Sequence, residues 1–273
     1  MTGPPMARPI DRVVVPLDAA SENLVAIETA ARLAADAKAP LIGVFVEDED
    51  LLQLASLPFA RQFTVGAAAE KLTTEHVELH LLLAAERARR ELFAAAERHG
   101  VTASFEIVRG ASASALAGAS ERDIVVAGAL TRPIAGHFRV ECRWWPSLET
   151  MPGPFLLARH AWSARGSIAL MLNDRGAAAL RLFDAAAQIA EAADALLTVI
   201  CPPATAAEAF RHWIADRLAG RSLRLEVEIA PAEPSALRQR LGELECRLLA
   251  IEAGGDELRD LVERYACDIL IVR

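Results

Sequence analysis

Two short stretches of this chain, roughly 110 residues apart, are near copies: Gly153-Pro154-Phe155-Leu156-Leu157-Ala158-Arg159 and Cys267-Asp268-Ile269-Leu270-Ile271-Val272-Arg273. Each is an apolar run closed by an arginine, and each follows similar segments in the same order. Self-similarity of this kind is the mark of one structural unit used twice. With 273 residues, the chain has room for two domains of ordinary size.

The first unit opens with Arg12-Val13-Val14-Val15-Pro16-Leu17-Asp18, a β-branched run that reads as a buried strand. Ser21 is a suitable N-cap for an alanine-rich helix over 22–37, which ends near Lys38-Ala39-Pro40. Strands are expected at 41–46, 105–108, 123–128 and 153–159, with a short helix from Gly110-Ala111-Ser112 to about residue 120. The second unit repeats the order. Strands are expected at 167–173, 196–201, 223–229, 247–251 and 268–273, and helices at 177–193 and 234–245.

Strands alternating with helices imply right-handed crossovers and mainly parallel sheets. Composition agrees: 53% of residues are hydrophobic but only 5% aromatic, so the core must be aliphatic, which suits a sheet covered on both faces. The expected fold class is α/β, with two tandem open parallel-sheet domains of five strands each and helices on both faces. The first spans 8–160, a linker 161–166, and the second, shorter domain 167–273.

The units differ mainly in an insertion at 47–101 between the second and third strands of the first. It holds the apolar run 51–59 and then a helical stretch from about 67 to 99. Leu72, Leu79, Leu82 and Leu83 are expected on one helical face, packed within the protein. Such an insertion could cover the sheet, mediate dimerisation or bind a partner.

A formal net charge of −8 argues against a general nucleic-acid or anionic-membrane surface. Cys142, Cys201, Cys246 and Cys267 lie far apart with no Cys-x-x-Cys, which fits free thiols in a reduced compartment. No apolar signal-peptide core opens the sequence, and no uncharged run approaches the about 18 residues of a membrane span, so a cytoplasmic protein is expected. His76 and His80 are four apart, a spacing that could hold a metal, but no third ligand stands nearby and a solvated helix face suffices. Ser112 and Ser114 have no base indicated in sequence and read as capping residues. The mixed-charge run 86–91 reads as an exposed face with internal ion pairs.

The opening strand through Asp18, the two closing strands and the order between them resemble the universal stress protein family over nearly the whole chain. The resemblance implies an open, Rossmann-like five-stranded sheet in each unit. It also implies edge-to-edge pairing of the fifth strands, 154–159 with 269–273, which hides an exposed edge. Many members bind ATP. The resemblance then places Asp18 on the nucleotide, a second-strand residue (Phe45 in this chain) against adenine, and a glycine-rich signature at the phosphates.

Asp18 is also explained as a turn former. Phe45 could stack on adenine or fill the space that adenine needs, and the second is favoured. Of the phosphate signature Gly128 fits, but Thr131 and Glu141 stand at the other two glycine positions and Cys142 at the hydroxyl position. Glycines let backbone N–H groups approach phosphate oxygens, whereas a carboxylate repels them. In the second unit Asn173 replaces the aspartate and Glu252 the first glycine, while Gly254-Gly255 reads as a turn.

The segment 130–152 carries Arg132, His137, Arg139, Arg143 and Trp144-Trp145-Pro146. It is expected to be a loop burying its tryptophans at the domain boundary, with anion binding as the alternative. No catalytic constellation emerges. The expectation is a non-enzymatic stress-response or regulatory protein that acts through a protein partner or as a homodimer, by the insertion or the fifth-strand edge. It would bind no ATP, metal, nucleic acid or membrane. The alternative is an adenine-nucleotide-binding or slowly hydrolysing protein using Asp18, Phe45 and Gly128.

Overall fold

The computed structural model describes residues 10–19, 23–62, 70–110, 116, 118–128, 130–134, 137–141, 144, 151–160, 166–201, 207–218, 221–231, 234–244, 246–252, 265 and 267–272. Its first half runs β1 (Arg12–Leu17), α1 (Asn23–Ala37), β2 (Leu41–Asp48), α2 (Glu49–Ser56), β3 (Arg61–Gln62), β4 (Glu70–Lys71), α3 (Thr74–His99), β5 (Ala103–Gly110), β6 (Asp123–Gly128), β7 (Leu130–Ile134), β8 (His137–Glu141) and β9 (Phe155–Ala158). The second half runs β10 (Ile168–Met171), α4 (Ala177–Ala192), β11 (Leu196–Cys201), α5 (Ala207–Leu218), β12 (Arg224–Ile229), α6 (Pro234–Glu243), β13 (Leu248–Glu252) and β14 (Asp268–Val272). Ser21, Ser112, Ser114 and the expected helix after Gly110 fall outside the described residues, apart from isolated positions.

The halves merge into one ten-stranded sheet of order β12-β11-β10-β13-β14-β9-β6-β1-β2-β5. All neighbours are parallel except β14 and β9, which pair antiparallel at Ile269↔Leu157, Leu270↔Leu156 and Ile271↔Phe155. The internal registers make the repeat quantitative. Val13 faces Ile124 in the first half, and Ile168 faces Leu248 in the second. Gly128 therefore corresponds to Glu252, and Leu156 to Leu270. Since Leu156 and Leu270 are partners at the seam, a pseudo-two-fold axis passes between them. The fifth-strand pairing is thus intramolecular. Each fifth strand already has the other on its outer side, so a homodimer through that edge is ruled out for this arrangement; β5 and β12 are the outer strands.

Alternating side chains sort the sheet into two faces. Val13, Val15, Leu17, Leu41, Phe45, Ile124 and Val126 face the layer of α1, α3 and α4. Val14, Val44, Val46, Val125 and Ala127 face the other layer, with Leu116, Trp144, Met151 and Leu241. The alanine-rich helices pack closely because Ala26, Ala30, Ala31 and Ala34 of α1 are buried with almost no side chain to accommodate. Both α1 and α4 end in the same way. A residue with positive φ, Lys38 or Asp194, follows the helix, and the next N–H reaches back from Ala39 to the Ala34 carbonyl or from Ala195 to that of Ala190, both at 2.9 Å. Gly100, at φ 67, closes α3 likewise.

The insertion departs from expectation in two ways. Its long helix starts at Thr74, whose own predecessor Thr73 caps it, and the short ladder of β3 and β4 precedes it. Its buried stripe is Val77, Leu81, Ala85, Ala88, Leu92, Ala95 and Ala96. Leu79, Leu82 and Leu83 point the other way and are more than half exposed, while Leu72 lies before the helix. The small residues decided the outcome, because four alanines let α3 approach α1 and β2 more closely than a leucine face could. The charged run sits on the outer face, with Glu86 and Arg89 paired at 3.2 Å.

The segment expected as a loop forms a hairpin, β7 against β8, with Leu130↔Glu141 and Thr131↔Val140 in register. Trp144 beyond it is 3% exposed and belongs to an apolar cluster that also holds Val125, Met151, Phe155, Ile269 and Ile271, residues of both halves. The expected burial of a tryptophan at the boundary therefore holds for Trp144; Trp145, Pro146, Cys142 and Arg143 lie outside the described residues.

Candidate functional site

In an open parallel sheet the crevice beyond the carboxyl ends of the strands is where ligands bind. In the first half that crevice is formed by the ends of β1, β2 and β6. Asp18 follows β1 and is 6% exposed; Gly128 ends β6, half-buried, opposite Ala158 of β9. Adjacent strands thus bring these two expected residues to the same rim. Phe45 is on the neighbouring strand, but its ring is not in the crevice. It is fully buried on the face covered by α1 and α3, level with Leu17, and its ring centroid lies 6.4 Å from that of Phe105. Filling of the core, rather than stacking on a ligand, is what its position provides. Strand alternation puts the next residue, Val46, on the opposite face.

The rim carries a charge pattern that the motif comparison missed. β2 runs out into Glu47, Asp48, Glu49 and Asp50, beside Asp18 on the neighbouring strand. Asp48 caps α2 by accepting from the N–H groups of Asp50 and Leu51 at 3.0 and 3.4 Å. Arg109, across the β2–β5 register from Glu47, donates to that carboxylate at 2.9 Å. Among the described residues the rim is therefore acidic, and this arginine is engaged. The signal was the plain run of four acidic residues at 47–50.

The insertion also bears on this end of the sheet. Ala19, next to Asp18, packs against the cluster of Ala55, Val77 and Leu81 formed by α2 and the start of α3. The turn after β1 is thus partly covered by the insertion, in line with a packing role for it.

The segment that corresponds to the phosphate signature is the β7–β8 hairpin. Thr131 and Glu141, at the two glycine positions, sit in a regular two-stranded ladder. Such a ladder turns alternate backbone N–H groups to the partner strand and the rest to its two outer edges, so among the described residues successive N–H groups do not converge on one point as they do in an anion-holding loop.

The second half repeats the acidic character. Glu252, equivalent to Gly128, is held above the usual carboxylate range by burial and by the nearby carboxylate of Asp174, against a backbone hydrogen bond from Asn173. Asn173, equivalent to Asp18, is exposed, and Asp174 accepts from the Gly176 N–H at 2.6 Å as α4 begins. Gly254 and Gly255 are outside the described residues.

Elsewhere, His76 and His80 are both exposed on α3, and no group of three metal-ligating side chains occurs among the described residues. No described helix is long and apolar enough to cross a membrane. A shallow cavity of 350 Å³ lies at the opposite, amino ends of β2 and β5, beside Lys38, His99 and Thr102. His99 there is engaged with Glu28 at 2.8 Å.

No family model matches the sequence, and no curated protein matches it. Solved structures do. A universal stress protein from Archaeoglobus fulgidus superposes with a TM-score of 0.66 at 13% identity, covering 94% of this chain and 97% of that one. A provisionally named universal stress protein from Pseudomonas aeruginosa gives 0.62 at 16% identity over 97% and 94% of the two chains. A functionally unknown protein from Pseudomonas aeruginosa PAO1 gives 0.60 at 16% identity over 97% and 93%. The likeness at these identities is one of fold. This chain is built on the universal stress protein fold.

Proposed function

We propose that the chain is a non-enzymatic, universal stress protein-like molecule that acts in stress response or regulation through contact with other proteins, without ATP. The observation that carries this reading is the β7–β8 ladder, which pairs Leu130 with Glu141 and Thr131 with Val140 where a phosphate loop would be needed. The acidic rim adds to it. A carboxylate about 5 Å from a phosphate charge costs roughly 3 kcal/mol at an effective dielectric of 20. Asp18 and the run 47–50 bring several such charges to one rim.

The second reading, adenine-nucleotide binding in the first half, draws on the adjacency of Asp18 and Gly128 at the ends of neighbouring strands. Titration calorimetry with ATP and magnesium on nucleotide-stripped protein separates the two. The proposal expects no saturable heat. Micromolar binding that Asp18→Ala abolishes would replace it with the nucleotide reading.

A further inference from the structure

The chain's cysteines are scattered in sequence, yet the parallel sheet brings two together. Cys246 precedes β13, Cys267 immediately precedes β14, and their Sγ atoms stand 4.0 Å apart. One backbone bond ties the two segments together, the Asp268 N–H reaching the Arg247 carbonyl at 3.0 Å, while the Arg247 N–H is held from the other side by the Ser167 carbonyl, also at 3.0 Å. Both cysteines lie just outside their strands, and the 4.0 Å between the Sγ atoms shows that the two side chains already converge, close enough for an S–S bond of about 2 Å to form by side-chain rotation. Both thiols are half-buried rather than sealed off, and they lie against the apolar layer beside Leu244 and Tyr265.

We propose that Cys246 and Cys267 form a reversible disulfide-forming pair that reacts with hydroperoxides, with Cys246 as the attacking thiol and Cys267 as the resolving one. The surroundings support this assignment: the hydrogen bond shared by the two Sγ atoms outweighs burial and lowers the pKa of Cys246. Cys267 is raised by that same hydrogen bond, by burial, and by the negative charges of Cys246 and Asp268. The thiolate is the nucleophile in such chemistry.

In the first step the Cys246 thiolate attacks the terminal oxygen of the hydroperoxide. The O–O bond breaks, Cys246 becomes a sulfenic acid, and the departing alkoxide takes up a proton to leave as the alcohol. In the second, the Cys267 sulfur attacks the Cys246 sulfur. An S–S bond forms, the sulfenic oxygen leaves as water with the Cys267 proton, and the sum is two thiols and one hydroperoxide giving disulfide, alcohol and water. Cys201 is a poor competitor, because burial pushes its thiol up to about 11.

Peptide mapping of the reduced, folded full-length chain after treatment with an organic hydroperoxide tests this, and it is independent of any nucleotide at Asp18. Trypsin releases the two thiols on peptides 241–247 and 265–273. The expected result is one linked species of those peptides, lighter by two hydrogens than their sum and separated by dithiothreitol, while Cys142 and Cys201 remain alkylatable. Cys267→Ser should trap a Cys246 sulfenic acid that reacts with dimedone, and Cys246→Ser should give no linkage. Three results would each overturn the proposal: unchanged thiols at a dose that oxidises a control thiol, linkage of either peptide to Cys142 or Cys201, or over-oxidation of wild-type Cys246 without linkage. The wild-type map is decisive even if a variant fails to fold.

Discussion

Asp123 and Asp268 each head a strand in the inner part of the sheet, β6 and β14, but their surroundings shift them in opposite directions. Asp123 is fully buried. Burial acts on it first and upward, yet the Arg12 guanidinium, donating at 2.9 Å from Nε and 2.5 Å from Nη2, and the Ser120 N–H at 2.7 Å together hold it below its ordinary value. Asp268 accepts from the N–H groups of Arg159 and His160 at 2.7 and 3.3 Å, and burial prevails, so it sits above its ordinary value. By linkage, the stability from Asp123 is present above the unfolded carboxyl pKa of about 3.9 and is lost as pH falls through its lower folded value. The contribution of Asp268 is present below about 3.9 and is lost as pH rises through its higher folded value. Asp123→Asn should therefore cost about 2 kcal/mol at neutral pH, kept modest because the Arg12 side chain is 41% exposed, and the deficit should shrink on acidification as wild-type Asp123 takes up its proton. Asp268→Asn should gain relative to wild type at neutral pH and lose that gain in acid. Urea melts across pH 3 to 8 (about five points) test both, and deficits that stay flat with pH would contradict the assignment.

At the level of single elements, what could be read from sequence depended on whether neighbours in the chain or neighbours in space decide the outcome. The strand that leads to Asp18, the strand that ends in Gly128 and the seam between fifth strands were legible, because β-branched runs and their repeats are local signals. The side chosen by Phe45 was not, since it depends on which sheet face α1 and α3 take. The hairpin was hidden by Pro133, which weakens a strand reading although a two-stranded ribbon has outer edges where a missing N–H does no harm. The pairing of Cys246 with Cys267 needed the parallel register. On α3 the leucines misled, because hydrophobicity alone does not say which of two apolar stripes is narrow enough to meet α1. Leu81 is 2% exposed and Leu83 60%. Leu81→Ala should cost about 2–4 kcal/mol and Leu83→Ala less than about 0.5. Equal losses in chemical denaturation would restore the face expected from the leucine spacing.

At the scale of the whole molecule, the repeat has become one body rather than two beads. The helix-side core runs without interruption from Val15, Leu33 and Leu156 in the first half to Leu170, Phe183 and Leu270 in the second. On the opposite face Val125, Trp144 and Phe155 share a cluster with Leu249 and Ile271. Antiparallel pairing at the pseudo-dyad gives each half the strand partner its fifth strand would otherwise lack, so neither half keeps its own boundary in the sheet. Cores shared on both faces predict that the two halves unfold together. Leu182, fully buried under the second half, is a suitable probe: Leu182→Ala should destabilise by about 3 kcal/mol. Calorimetry should show one transition, moved to lower temperature as a whole, and hydrogen exchange should rise together in β1 and β11. If β11 lost protection while β1 kept it, the seam would be joining two independently stable domains, and the continuous sheet would be a matter of contact rather than of cooperativity.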